Sequence, residues 1–235
     1  MFAPATLLPL TLDVFADIAC PWCHVGERHL ATALAGLLED QPGRVVVRRW
    51  HPFQLQPGLP ERGEAWPAFA ARKFGSPEQA ASAFQHVARA GAAAGIAFDF
   101  ARMPVAPNTE RAHRLVLAGS SGTADRAFDV AHRLFRAYFE EAEDITDPDT
   151  LVRLGVDAGL DESDARAALT DDTLAARVAA AMGTAQRLGI TGVPFVLVGQ
   201  RVGVSGAQPP GVLRQAIDKA DDLEGEALRE ARNQA

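Results

Sequence analysis

An apolar run from Leu10 to Ala19 passes directly into Cys20-Pro21-Trp22-Cys23, where a helical pattern begins and continues to Leu38. This junction constrains the fold more than any other part of the chain. Pro21 suits the first helical turn, where its missing N–H needs no partner and its ring pre-sets the backbone angle. Pro42-Gly43 then marks a turn, and Arg44 to Trp50 reads as a second strand. The first 50 residues are therefore expected to form a β-α-β unit with a cysteine pair at its first crossover.

The pair also has a chemical reading. Cys20 and Cys23 are the only two cysteines in 235 residues, too few to staple a fold of this size. Three residues apart on one helical face, their Cβ atoms stand about 5–6 Å apart. Small torsional changes bring that to the roughly 3.5–4.5 Å of a disulfide. The unpaired N–H groups and partial positive charge of a helix N-terminus favour a thiolate at the first position. A redox-active Cys20–Cys23 dithiol, with no bound cofactor, is the expected chemistry.

Charge and composition narrow the partners. A hydrophobic fraction of 48% with 23% charged residues is that of a water-exposed globular chain. The net charge of −7 argues against nucleic acid or an anionic membrane as the main partner. Met1 to Leu10 has no Lys or Arg and no separate apolar run, so no secretory signal is read and a cytoplasmic location is expected. No stretch is long enough to span a membrane. Monomer and dimer both remain open.

Beyond Pro52, Pro57 and Pro60 the pattern is helical from about Glu64 to Leu188. Helices are predicted over Pro77–Ala94, Asn108–Ala118, Ala124–Glu141, Pro148–Ala158 and Thr173–Leu188. Start signals are Ser76-Pro77 with Glu78, Asn108-Thr109 with Glu110, and Asp147-Pro148 with Asp149. Phe195–Val198 and Arg201–Val204 read as a hairpin around Gly199-Gln200, and Gln208–Ala220 as a last helix. The tail beyond Asp221 reads as charged and solvated. The expected organisation is residues 1–58, a helical insertion over 59–188, a return to the sheet over 189–222, and a tail over 223–235. The predicted outer segments join into one mixed sheet, an α/β fold.

Pro194, in Thr191-Gly-Val-Pro-Phe195, stands at the head of an apolar strand. It is either an ordinary strand-start proline or a cis proline that turns the Val193 backbone outward as an unpaired edge. Strand, Cys-Pro-Trp-Cys, strand, helical insertion, Gly-Val-Pro, hairpin and helix together resemble the thioredoxin fold as elaborated in DsbA-type oxidoreductases. The sequence is further similar to FrnE-like proteins and 2-hydroxychromene-2-carboxylate isomerases. The residues that carry this are Asp17-Ile-Ala-Cys-Pro-Trp-Cys23, Trp50-His-Pro-Phe-Gln-Leu55, Pro107-Asn-Thr-Glu-Arg-Ala-His-Arg114, Gly192-Val-Pro-Phe195 and Val204-Ser-Gly-Ala-Gln-Pro209.

The resemblance implies a thioredoxin-like fold with a large all-helical insertion. It also implies Cys20 as nucleophile, Cys23 as resolving thiol, and Val193-Pro194 as a cis-proline element facing them. Protein or low-molecular-weight thiols and disulfides would be the substrates, with glutathione as a candidate co-substrate. The isomerase and kappa-class glutathione transferase relatives usually carry serine where this chain has Cys20, which favours dithiol chemistry here. Some FrnE-like proteins carry further cysteines near the C-terminus, and this chain has none after Cys23.

Around that centre several residues have two readings each. Trp22 is either an apolar contact for substrate or a packing residue. His24 is either a charge beside the site or a surface residue of the helix. Asp17 either moves a proton for Cys23 or caps the strand-to-helix turn, and Asp13 competes for the buried-acid role. His51, Phe53 and Asn108 are candidates for the substrate cleft, with an exposed loop the simpler place for His51 and a helix cap for Asn108. His86, His113 and His132 read as surface or core-edge residues of the insertion. Ser205-Gly206 can offer N–H groups to a glutathione carboxylate or simply start a helix. Cys20-Pro-Trp-Cys-His24 also spells a c-type haem attachment signature, disfavoured by the β-α-β context. Zinc is disfavoured because no second ligand pair has suitable spacing.

Overall fold

The computed structural model describes residues 9–121 and 125–233; the reading of Met1–Leu8, the Ala124 helix start and the last two tail residues lie outside them. The first elements are β1 (Leu10–Ala16), α1 (Pro21–Asp40), β2 (Val46–Pro52), β3 (Glu64–Ala65), α2 (Trp66–Phe74) and α3 (Pro77–Ala93). They are followed by β4 (Val105–Ala106), α4 (Glu110–Ala118), α5 (Arg126–Phe139), α6 (Pro148–Asp157), α7 (Glu162–Ala168) and α8 (Asp172–Arg187). The chain closes with β5 (Phe195–Val198), β6 (Val202–Ser205) and α9 (Pro210–Asn233).

The apolar run at the start becomes the centre of the main sheet, whose order is β2-β1-β5-β6. β1 pairs in parallel with β2, Leu10 opposite Val46, and antiparallel with β5, Leu12 opposite Val198. A strand buried on both faces reads as a continuous apolar run rather than an alternation, and six of the seven residues of β1 are buried. Residues from both ends of the chain thus form one mixed sheet, as expected. The hairpin turns at Gly199 and Gln200, both with φ near +57°, the pair of positive angles that a two-residue turn matched to strand twist requires.

The intervening helices do not stand apart from this sheet. One hydrophobic cluster joins Leu12, Val14 and Leu30 to Leu115, Leu134, Phe135 and Leu151, and to Val196 and Ile217. Each such buried side chain contributes about 1.5–3 kcal/mol relative to exposure. Caps fix the helix starts where the sequence suggests them. Ser76 Oγ accepts from the Gln79 N–H at 3.2 Å, and Asp147 Oδ2 accepts from the Thr150 N–H at 2.8 Å.

Other local expectations are corrected. α2 and α7 lie inside the stretch read as helical but outside the ranges given for its clearest helices. With 9 and 7 residues they are too short for a strong period, and their aromatic or alanine faces are fixed by packing. The short β3–β4 pair has no sequence signal of its own. His51 belongs to β2 rather than to the loop after it. α4 starts at Glu110; Thr109 makes no side-chain cap bond, and Asn108 Oδ1 accepts from the Glu110 N–H at 3.0 Å instead. α9 does not stop at Ala220 but continues through the charged segment to Asn233. Arg44–Asp221 and Arg201–Glu224 ion pairs hold that segment, at 2.5 and 2.9 Å.

Candidate active site at the start of α1

Cys20 occupies the N-cap of α1 in extended conformation, with Pro21 in the first turn. Its carbonyl begins the helix by accepting from the Cys23 N–H at 2.9 Å. Asp17 builds the turn that delivers it. Its Oδ1 accepts from the Ala19 N–H at 3.2 Å, and its carbonyl accepts from the Cys20 N–H at 3.0 Å. Asp17 Oδ2 accepts from the Leu55 N–H at 2.7 Å, tying the loop after β2 to the same turn. The structure therefore gives Asp17 the turn-building role.

Behind Asp17 lies a buried polar chain. His113 Nε2 stands 3.4 Å from Asp17 Oδ1 and 3.2 Å from the Phe53 carbonyl, while its Nδ1 accepts from Trp50 Nε1 at 3.5 Å. Those partners place the ring hydrogen on Nε2. His113 is fully buried, not a surface or core-edge residue as its helical position suggested. Asp13, the competing acid, is instead bonded to His51 Nε2 at 2.8 Å.

Both cysteines are free thiols, 5% and 1% exposed. Burial first, then hydrogen bonding and charge from Cys20, push the Cys23 thiol well above the ordinary cysteine range. Cys20 Sγ lies 3.7 Å from the Val193 carbonyl oxygen, part of the edge that the cis-proline reading turns outward. The Val193–Pro194 peptide bond is cis. The Pro194 carbonyl accepts from the Gly206 N–H at 2.8 Å, and its ring packs so closely on Gly26 that a Cβ there would sit 2.9 Å from Pro194 Cγ.

Cys20 opens onto a cavity of about 260 Å³ between α1, α2 and α3, and Cys23 does not line it. The chain has 12 Phe, 3 Trp and 1 Tyr, and seven of these form the wall: Trp22, Trp66, Phe69, Phe74, Phe84, Tyr138 and Phe139. Lys73 is the charged residue of the lining. The half-buried Trp22 lines the cavity, and its ring tilts against His86 at 5.4 Å. Sequence reasoning missed this wall. The available signal was the aromatic spacing Trp66, Phe69, Phe74 just after the proline-rich stretch.

The three cleft candidates do not line the cavity. His51 stacks on Phe15 at 4.5 Å on another face of the sheet. Phe53 packs with Phe15, Ala185 and Ile190. Asn108 supports the wall from behind, donating to the Leu59 carbonyl at 2.6 Å and accepting from Gln54 Nε2 at 3.2 Å. His24, read either as a charge beside the site or as a surface residue of the helix, is 0% exposed: its Nε2 lies 3.1 Å from Glu140 Oε1 and its ring stacks on Phe135. Burial lowers its imidazole to about 4. Among the described residues no cluster of three or more His, Cys, Asp or Glu is placed to hold a metal ion, and none of the helices is long and apolar enough to cross a membrane.

Comparison with known proteins agrees with this geometry. A crystal structure described as a probable DsbA oxidoreductase from Streptomyces coelicolor superposes with a TM-score of 0.75. It is 34% identical, over 90% of this chain and 89% of that one. The cytosolic disulfide reductase DsbM from Pseudomonas aeruginosa, solved with GSH, shares the fold at TM-score 0.61 and 20% identity, over 93% and 99% of the two chains. YwbO of Bacillus subtilis is 25% identical over 207 residues, 88% of this chain and 94% of that protein. The family model for the DSBA-like thioredoxin domain matches residues 11–218. A dithiol at a helix start, on a sheet closed by a Val-Pro turn and covered by helices, accordingly places this chain in the DsbA-like thioredoxin domain family.

Proposed function

We propose that this protein is a thiol–disulfide oxidoreductase in which Cys20 is the nucleophile and Cys23 the resolving thiol. The observation that carries this is the asymmetry of the pair, since Cys20 opens onto the cavity and Cys23 does not. The Cys20 thiolate attacks one sulfur of a substrate disulfide; an S–S bond forms to Cys20 and the other substrate sulfur leaves as a thiolate. Cys23, once deprotonated, attacks Cys20 Sγ. The Cys20–Cys23 disulfide forms, the second substrate thiolate leaves, and the substrate has gained the two electrons the pair has lost. Run backwards, the oxidised pair donates a disulfide, with Val193-Pro194 beside Cys20 as the edge against which an extended substrate lies.

The cavity favours protein or low-molecular-weight disulfides that present an apolar or aromatic group next to the reacting sulfur. Glutathione, as a cytoplasmic co-substrate, would return the pair to its dithiol form. Insulin reduction tests the reading. Cys20→Ser is expected to abolish it, and Cys23→Ser to accumulate a mixed disulfide on Cys20; full activity in Cys20→Ser ends the proposal. The aromatic wall also suits a glutathione-dependent isomerase or transferase of an aromatic substrate. That reading takes over if turnover of such a substrate survives Cys23→Ser.

A further inference from the structure

Lys73 and Lys219 are the only lysines among 23 Lys and Arg residues, and Lys73 is the charged residue that lines the cavity beside Cys20. The chain carries 30 Asp and Glu residues, and none of the described ones lines that cavity. Lys73 is exposed, with Nζ 5.3 Å from the Phe69 ring centre and 5.6 Å from that of Phe74. The two rings hold the ammonium against the wall by cation–π attraction. Among the described residues Lys73 makes no ion pair or hydrogen bond. The adjacent Arg72, by contrast, is paired with Glu64 at 2.5 Å. The Lys73 charge is therefore left to an anion from solution.

The rest of the wall suits a flat ring. Trp66 stacks on Phe84 at 5.7 Å and tilts against Phe69 at 5.5 Å, while Phe74 meets Phe84 edge-on at 5.6 Å. Rings fixed against each other in this way offer faces and edges to a further ring. An apolar cavity of about 150 Å³ holds one benzene. The roughly 260 Å³ beside Cys20 has room for one aromatic ring with its substituents.

We propose that the cavity takes the ring of a low-molecular-weight aryl disulfide bearing a carboxylate, and that Lys73 selects the acid. The inference rests on the oxidoreductase reading and names its substrate class. The Cys20 thiolate attacks the sulfur whose ring lies in the cavity. The substrate S–S bond breaks as the bond to Cys20 forms, and the other aryl thiolate leaves with the electron pair. Cys23 loses its proton to water and attacks Cys20 Sγ, closing the Cys20–Cys23 disulfide and releasing the second aryl thiolate. The substrate gains the two electrons that the dithiol loses. Lys73 touches no reacting atom; it holds the carboxylate while the sulfur is attacked.

The test compares two oxidants of the reduced protein in stopped flow: dithiobis(nitrobenzoate), with a carboxylate on each ring, and the neutral dithiodipyridine. Lys73→Met keeps the stem against Phe69 and Phe74 and removes the charge, whereas Lys73→Arg keeps the charge. Lys219→Met makes the same change of net charge on α9, outside the cavity lining. With dithiobis(nitrobenzoate) the second-order rate constant should fall about threefold to fivefold in Lys73→Met, the upper range of an exposed ion pair. Lys73→Arg and Lys219→Met should stay within about twofold of the parent, and with dithiodipyridine all four proteins should agree within about twofold. Equal rates on dithiobis(nitrobenzoate) in Lys73→Met and parent, an equal loss on both oxidants, or the same loss in Lys219→Met overturns the inference and leaves the oxidoreductase reading intact. In the parent, nitrobenzoate should protect Cys20 from iodoacetamide at lower concentration than nitrobenzamide does; equal protection refutes the acid selection without any variant. If neither oxidant yields two aryl thiolates and an internal Cys20–Cys23 bond, the functional reading falls and the substrate class with it.

Discussion

His24 should make this protein sensitive to mild acid, through a buried imidazole rather than through the dithiol beside it. The ring is fully buried between Phe135 and Phe98, with Nε2 on Glu140 and Nδ1 without a partner among the described residues. Burial lowers its pKa from 6.5 to about 4; the Glu140 hydrogen bond and charge oppose the shift, and His132 and Arg28 add to it. Between those two values the unfolded chain binds a proton at His24 that the folded chain refuses. The stability His24 contributes is thus complete above pH 6.5 and falls as pH drops, by up to about 1.4 kcal/mol per unit, until pH reaches about 4. From pH 7.5 to 4.5 the loss is about 2 to 3 kcal/mol. Acidification changes the charge of other groups as well, so the comparison must be with a variant. His24→Phe keeps an aromatic ring against Phe135 and cannot titrate. Urea unfolding of both proteins at several pH values should show the variant losing about 2 to 3 kcal/mol less than the parent between pH 7.5 and 4.5. Parallel stability curves would refute the reasoning, because they would mean His24 titrates alike in both states.

Two further outcomes follow from packing. Gly26→Ala places a methyl 2.9 Å from Pro194 Cγ and 3.6 Å from Ala207 Cα. It should cost about 1–3 kcal/mol in urea unfolding and slow mixed-disulfide formation on Cys20; equal stability and rate would show that the Pro194 loop yields freely. Tyr138→Phe removes the hydroxyl that donates to the Val105 carbonyl at 2.8 Å. Thermal unfolding should report a loss of about 1 kcal/mol for the part-buried hydrogen bond removed, and an unchanged midpoint would contradict that.

The parts of this molecule that the sequence made legible are those whose signals are local. A strand running into Cys-Pro-Trp-Cys carries its own turn, cap and helix start within a few residues, and so does the hairpin at Gly199-Gln200. The cavity wall is different: Trp66, Phe84 and Tyr138 lie on three separate helices, and only their packing brings them to one space. His24 and His113 were misplaced for the same reason. A histidine in a helix looks alike whether its face meets water or another helix, and Phe135, on which His24 stacks, comes more than a hundred residues later. Asp13 and Asp17, four residues apart, were distinguished only by what each meets: the His51 ring for one, two backbone N–H groups for the other.

The position of Val193 beside Cys20 has a consequence for the life of the chain before it is complete. The two residues that meet at 3.7 Å are separated by 173 positions. Ribosomes add about 5–20 residues per second, so the dithiol is made roughly 9 to 35 s before the turn that covers it. Throughout that interval β1 also lacks its β5 neighbour, and the helices that wall the cavity are added only as it proceeds. The nascent chain therefore carries both thiols ahead of the cavity wall beside Cys20, and the Val193 carbonyl comes to rest against Cys20 only when the last strands close.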